Sequence, residues 1–229
     1  MLHLVIGNRN YSSWSLRAWL YLRASGIPFE ETRLAMFTDG WEEAVARHSP
    51  AGRVPVLLDG GLAVWDTAAI FEHLRETRDD ALDHPSDPAA RALSRSICAE
   101  MHSGFFQVRD ELPQNLRART PLARASLSSS CRSQVDRIES IWSDCRERFG
   151  SGGPWLFGEL SLADVLYAPV ALRFVTYSIE VSDRARPFVE AVESDALIRE
   201  WVTEAGEEPE AIDFIDDLTP AHESPLTLG

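Results

Sequence analysis

The order of strand and helix signals in the first eighty residues leaves few folds open. Residues 2–6 are a short apolar strand run. Residues 13–25 carry Trp14, Ala18, Trp19 and Leu22 at helical spacing, and Gly26-Ile27-Pro28 ends that pattern. Residues 29–34 alternate as a second strand, and 41–48 suit a short helix. Residues 53–58 and 62–65 read as two strands joined by an Asp59-Gly60-Gly61 hairpin turn. Asp66-Thr67 then caps a helix through Glu76, with Ile70, Phe71 and Leu74 on one face. The order β-α-β-(α)-β-β-α starts as a parallel unit and ends as an antiparallel hairpin with its helix, a small α/β sandwich.

The pattern changes at residues 77–88, a polar stretch containing Pro85 and Pro88 that suits a linker. Beyond it the strand signals stop. Helical segments are expected over 89–112, 122–149, 162–179 and 184–205, separated by Pro113, Pro121 and Gly150-Ser151-Gly152-Gly153-Pro154. The fold class is therefore α/β plus all-α: an α/β domain over 1–77, a linker over 78–88, and an all-helical domain with an acidic tail over 89–229. A chain of 229 residues has length enough for two such domains without disulfides.

Charge narrows the function. The net formal charge is −14, all 22 basic residues are Arg, and no basic stripe appears, so nucleic acid is not an expected partner. Residues 1–80 hold 8 Arg against 11 acids, and the rest hold 14 against 25, so an anion site belongs in the N-terminal part. The stretch 204–217 has seven acids and no base and reads as a solvated, partly mobile tail. No apolar run reaches the ~18 residues of a membrane span, and residues 1–7 read as a first strand without a basic leader. Cys98, Cys131 and Cys145 lack zinc-ligand spacing, and the last two sit roughly 21 Å apart on one expected helix, too far to pair. No metal site and a reducing, cytoplasmic compartment are expected.

Four short motifs draw attention. Tyr11-Ser12-Ser13-Trp14-Ser15-Leu16-Arg17 joins the first strand to the first helix. Its hydroxyls can cap that helix, or the helix start can receive an anion. Val54-Pro55 is either a strand-opening proline or a cis bond that turns a backbone edge outward for an extended peptide. Asp66-Thr67 caps a helix and can also take a carboxylate and an ammonium, the two charges of a γ-glutamyl group. Ser161-Leu162-Ala163-Asp164 is a capping-box signature with a structural role.

Taken in this order, together with Ser49-Pro50-Ala51-Gly52-Arg53-Val54-Pro55 and Gly158-Glu159-Leu160 ahead of the capping box, the chain resembles the cytosolic glutathione S-transferases. The turn Ser12-Ser13-Trp14-Ser15-Leu16-Arg17 is most similar to the zeta class, which includes maleylacetoacetate isomerases. The resemblance implies a thioredoxin-like βαβ–ββα domain that binds glutathione as co-substrate. It also implies a helical domain that supplies most of the acceptor pocket, and a cytoplasmic homodimer acting on small electrophiles. Ser12 would donate a hydrogen bond to the glutathione sulfur. Val54 would pair with the cysteinyl unit beside a cis Pro55, and Asp66 and Thr67 would hold the γ-glutamyl end. Ser13, Arg17 and Arg53 would complete that site. Tyr11, Trp14, His102, Phe105 and Arg109 are candidates for the acceptor pocket, and Tyr11 is an alternative sulfur donor; Met101 and Phe106 share the helical stripe of His102, Phe105 and Arg109, a pattern that suits core packing as well as substrate contact.

A free thiol has a pKa near 8.5, and lowering it by about two units needs about 2.7 kcal/mol. One charge-assisted hydrogen bond supplies roughly 1.5–3 kcal/mol and a helix N-terminus about 0.3–1 kcal/mol, so a neutral serine suffices without a general base. Two departures from the zeta pattern matter. Trp14 stands where that class has its cysteine, which favours transfer over thiol-disulfide chemistry. Thr176 stands where the isomerases have an arginine, with Arg173 one turn earlier. Isomerisation of a maleyl-type diacid and a non-catalytic binding module are the alternatives to glutathione transfer.

Overall fold

The computed structural model describes residues 1–218. Four strands, β1 (Leu2–Ile6), β2 (Phe29–Arg33), β3 (Val56–Asp59) and β4 (Leu62–Trp65), form one sheet in the order β2-β1-β3-β4. β1 runs parallel to β2, with Leu2 opposite Phe29, while β1–β3 and β3–β4 are antiparallel. Leu4, Val5, Ile6, Val56 and Leu57 of the two central strands are fully buried. Helices α1 (Ser13–Ala24), α2 (Trp41–Ala46) and α3 (Thr67–Thr77) complete this thioredoxin-like unit. Its parallel start and antiparallel end follow the strand and turn signals of the sequence.

Helices fill the rest of the described chain: α4 (Pro88–Ser103), α5 (Phe106–Glu111), α6 (Ser129–Phe149), α7 (Leu162–Thr176), α8 (Arg186–Ser194), α9 (Ala196–Glu207) and α10 (Asp213–Asp216). Two expected helices are each broken in two. The 89–112 segment breaks at Gly104 and Phe105. A side chain at Gly104 would sit 2.7 Å from the Glu100 carbonyl oxygen, and Phe105 takes a left-handed conformation, φ 56°. The 184–205 segment breaks at Asp195, whose carboxylate caps α9 by accepting from the Leu197 and Ile198 amides. The 122–149 segment becomes helical only at Ser129, after a 3-10 turn at Arg124–Ser126; Ser128 caps it through the Cys131 amide.

The acidic stretch 204–217 is not a solvated tail. Glu208, Glu210 and Asp216 all bond to residues of the N-terminal domain, and Ile212 is buried against Tyr11 and Met36. Arg9, Arg33 and Arg117, scattered through the sequence, supply the countercharge that the stretch itself lacks. Residues 219–229 of the expected helical domain lie outside the described residues.

α7 runs through the middle of the molecule and packs on α1, α4 and α8. All but one of its side chains are buried, so it reads as apolar on every face. Its start is fixed by Asp164, whose carboxylate accepts from the Leu156 amide (2.8 Å), the Ser161 amide (2.8 Å) and the Ser161 hydroxyl (2.7 Å). Cys98, Cys131 and Cys145 are free thiols in the core, and burial raises the pKa of each. No helix among the described residues is long and apolar enough to cross a membrane.

Burial outweighs the hydrogen bonds at Asp164 and pushes its carboxyl pKa up to about 6. A raised folded-state pKa means stability that is present below about pH 4 and lost as pH rises through about 6. The unfolding free energy of wild type relative to Asp164→Asn is predicted to fall between pH 4 and pH 7 by up to about 3 kcal/mol. Denaturant titrations at several pH values measure it; a pH-independent difference would contradict the assignment.

Candidate functional site

The N-terminus of α1 points out of the sheet beside the helical domain. Ser12 is its N-cap: its Oγ accepts from the Ser15 amide (3.3 Å) and donates to Ser15 Oγ (2.8 Å). Ser15 Oγ in turn accepts from the Gly7 amide (3.0 Å), tying the helix start to the end of β1. Ser13 Oγ accepts from Arg173 Nη2 (3.1 Å) on α7. The leading amides of α1 thus face a place already lined with donors.

Three guanidinium groups gather here. Arg17 and Arg173 are buried, and Arg109 is half-buried. Arg17 bonds to the Leu166 and Ser13 carbonyls and to Met101 Sδ, and Arg173 to the Leu112 and Pro169 carbonyls and Ser13 Oγ. Among the described residues, no carboxylate lies within salt-bridge distance of any of the three. Desolvation, then mutual repulsion, lowers the pKa of Arg17 well below its usual value. Arg173 is lowered to about 10, chiefly by desolvation. A guanidinium keeps its proton in proteins, so the corner carries positive charge. Trp14 lies between Arg17 (4.5 Å from the ring) and Arg109 (5.6 Å), with His102 edge-on at 5.3 Å. Buried cations without counter-ions are costly, so this corner holds a positive potential that an anion would relieve.

Beside this corner opens a cavity of about 690 Å³ between the two domains. The N-terminal domain lines it with Trp14, Ala51, Arg53, Val54, Pro55, Trp65, Asp66 and Thr67, and the helical domain with His102, Phe106 and Arg109. The Val54–Pro55 peptide is cis. Asp66 caps α3 from a left-handed φ of 72°, with Oδ1 accepting from the Ala68 amide and 3.4 Å from His102 Nε2. Thr67 is buried and its Oγ1 has no hydrogen-bond partner in the protein. A buried hydroxyl left unpaired costs about 1–3 kcal/mol, so a ligand polar group at this position has a defined place to bind.

Nine of the residues singled out by sequence therefore share one cavity: Trp14, Arg53, Val54, Pro55, Asp66, Thr67, His102, Phe106 and Arg109. Tyr11, Ser12, Ser13, Arg17 and Phe105 are not among its lining residues. Ser12, 8% exposed, and Ser13, 4% exposed, lie at the α1 start. Tyr11 OH donates to Asp216 and accepts from Arg117, and both burial and the Asp216 bond raise its pKa. Phe105 turns into the core because the helix breaks there, and its exposed neighbour Phe106 faces the cavity instead. Sequence reasoning did not single out Ala51 or Trp65. Trp65, a half-exposed aromatic at the last position of β4 directly before the capping Asp66, was the available signal.

Residues 11–77 match the family model described as "Glutathione S-transferase, N-terminal domain". A maleylacetoacetate isomerase of Rattus norvegicus is 28% identical over 185 residues, covering 76% of this chain and 78% of that protein. A glutathione transferase homologue from Burkholderia, crystallised with bound glutathione, superposes with a TM-score of 0.67 at 20% identity, covering 90% of this chain and 99% of the other. A bacterial maleyl pyruvate isomerase of the zeta class superposes with a TM-score of 0.67 at 19% identity, covering 92% and 100%.

Because the buried Thr67 hydroxyl makes no bond within the protein, Thr67→Val is predicted to raise the unfolding free energy by about 1–3 kcal/mol. Chemical denaturation of the ligand-free protein tests this, and a loss of more than about 1.5 kcal/mol would mean that the hydroxyl serves the fold. Residues 11–77 thus match the N-terminal domain of the glutathione S-transferases, and the chain around them is similar in sequence to a maleylacetoacetate isomerase and in fold to solved glutathione transferases.

Proposed function

We propose that the protein binds glutathione in the interdomain cavity and presents its sulfur as a thiolate to a small electrophile. The observation that carries this reading is the buried, unpaired Thr67 hydroxyl beside Asp66 at the start of α3. A γ-glutamyl group matches both: its carboxylate accepts from Thr67 and the α3 amides, and its ammonium pairs with Asp66. Val54, outside the strand ladder that begins at Val56, offers its backbone to the cysteinyl unit beside Pro55. The thiol then lies toward the α1 start.

Ser12 is the hydroxyl proposed to meet the sulfur. Its oxygen is held by the Ser15 amide and lies 2.8 Å from Ser15 Oγ. When the Ser12 proton turns to the sulfur, the Ser15 proton can fill the same O···O contact. A continuous chain then runs from the Gly7 amide through Ser15 and Ser12 to the thiolate, each bond polarising the next. The thiol proton leaves to solvent. The sulfur lone pair forms the carbon–sulfur bond while the leaving group departs with its electron pair, and Ser12 keeps its own proton throughout. Arg17, Arg173 and the helix start favour the negative sulfur electrostatically.

The relatives and the two cations facing the cavity, Arg53 and Arg109, also favour a second reading, glutathione-dependent isomerisation of an acidic substrate. Thr176 is buried and reaches only the Asn115 carbonyl (3.5 Å), so it does not supply the isomerases' missing cation. Turnover of a maleyl-type diacid against an aryl halide separates the two. A cytoplasmic homodimer belongs to the same proposal, in keeping with three unpaired, buried thiols.

Ser12→Ala is predicted to raise the apparent pKa of bound glutathione by about 1–2 units, read by thiolate absorbance, and to lower kcat/KM at pH 7 about 10–100-fold. Thr67→Val is predicted to weaken glutathione binding about tenfold or more, the effect of a lost charge-assisted hydrogen bond. An unshifted thiol pKa in Ser12→Ala, with the shift appearing in Ser13→Ala instead, would transfer the role to Ser13.

A further inference from the structure

The loop that delivers Ser12, residues 8–11, is held from the far end of the chain. Glu208 is 7% exposed, and its two carboxylate oxygens accept from consecutive backbone amides, Arg9 at 2.7 Å and Asn10 at 3.1 Å. Asn8 donates to Glu210 (3.2 Å), which Arg33 also holds (2.9 Å). Tyr11 OH donates to Asp216 (2.7 Å). Arg117 binds the strap to this loop, donating to the Glu208 carbonyl (2.6 Å), the Glu210 carbonyl (2.8 Å) and the Tyr11 hydroxyl (2.6 Å). Ile212 packs on Tyr11 and Met36, and Val54 borders the same cluster. Every one of the four residues before Ser12 therefore has a partner between Glu208 and Asp216.

The loop makes few bonds of its own: the Tyr11 and Ser12 amides both turn to the Asn8 carbonyl, at 3.3 and 2.8 Å. Asn8 Oδ1, the Arg9 carbonyl and the Asn10 side chain are anchored elsewhere, by the Met36 amide, Trp201 and Asn115, but without Glu208 the Arg9 and Asn10 amides would be left unpaired. A side chain that must donate to a sulfur needs its backbone held to within about 0.5 Å, and rigid neighbours provide that precision. The strap meets this requirement, and none of its residues lines the cavity.

We infer that residues 208–216 are a positioning strap for the thiol site, with Glu208 as its principal positioning residue. The inference rests on the glutathione reading above. Glu208 does not touch substrate; it acts through the Arg9–Asn10 backbone on the placement of Ser12. A merely structural acid would lower stability and leave the chemistry of the folded enzyme alone, whereas a positioning acid moves the thiol pKa and kcat.

The test compares Glu208→Ala and Glu208→Gln with wild type, reading the pKa of bound glutathione by thiolate absorbance and kcat and KM by aryl halide conjugation. Glu208→Ala is expected to raise the thiol pKa by at least about half a unit and to lower kcat at least about fivefold with KM for glutathione within about twofold. Glu208→Gln, which keeps one acceptor, is expected to recover part of both effects. If the alanine variant does not fold, the glutamine variant carries the test. Wild-type pKa and kcat in whichever variant folds, with only the melting temperature lowered, would overturn the inference. Absence of a thiolate signal in wild type would instead overturn the glutathione reading and this inference with it.

Discussion

The first turn of α1 exposes backbone amides that no residue of the same helix can satisfy, and much of the molecule is arranged around them. Ser12 takes one, and Ser15 ties the turn to β1. Below them, Arg17 and Arg173 bring two positive charges into the interior with carbonyl, hydroxyl and thioether partners in place of carboxylates. An arrangement of donors and cations without acids is unfavourable as pure architecture. It becomes favourable when an anion binds, and the thiolate proposed for this corner would be such an anion.

The parts of this architecture that were legible in the sequence are those set by local chemistry. The Asp59-Gly60-Gly61 turn, the caps at Asp66 and Ser161 and the alternation of β1 are readable within a few residues, and the strands and helices follow them. Helix breaks at Gly104–Phe105 and Asp195 were harder. Apolar periodicity continues across both, and only the backbone conformation of Phe105 and the capping bonds of Asp195 end the helices. One consequence is functional: the break exchanges Phe105 for Phe106 at the cavity.

The acidic stretch illustrates what composition cannot resolve. Seven acids without a base suggest a solvated tail, yet the matching bases and amides lie about 90 to 200 residues away, at Arg117, Arg33 and the β1–α1 loop. Its burial comes from Ile212 and from backbone hydrogen bonds, neither of which a charge count detects. Trp14 is a similar case. As a substitution for a cysteine it signalled a changed pocket, but only its position between Arg17 and Arg109 shows that the indole is itself a wall of the cavity and a partner for two cations.

A crystal structure with glutathione bound tests this account most directly. It should place the sulfur within hydrogen-bond reach of Ser12 Oγ and the γ-glutamyl carboxylate on Thr67 Oγ1. Glutathione bound with its sulfur against Trp14 and Arg109, beyond the reach of Ser12 and with Thr67 still unpaired, would contradict it.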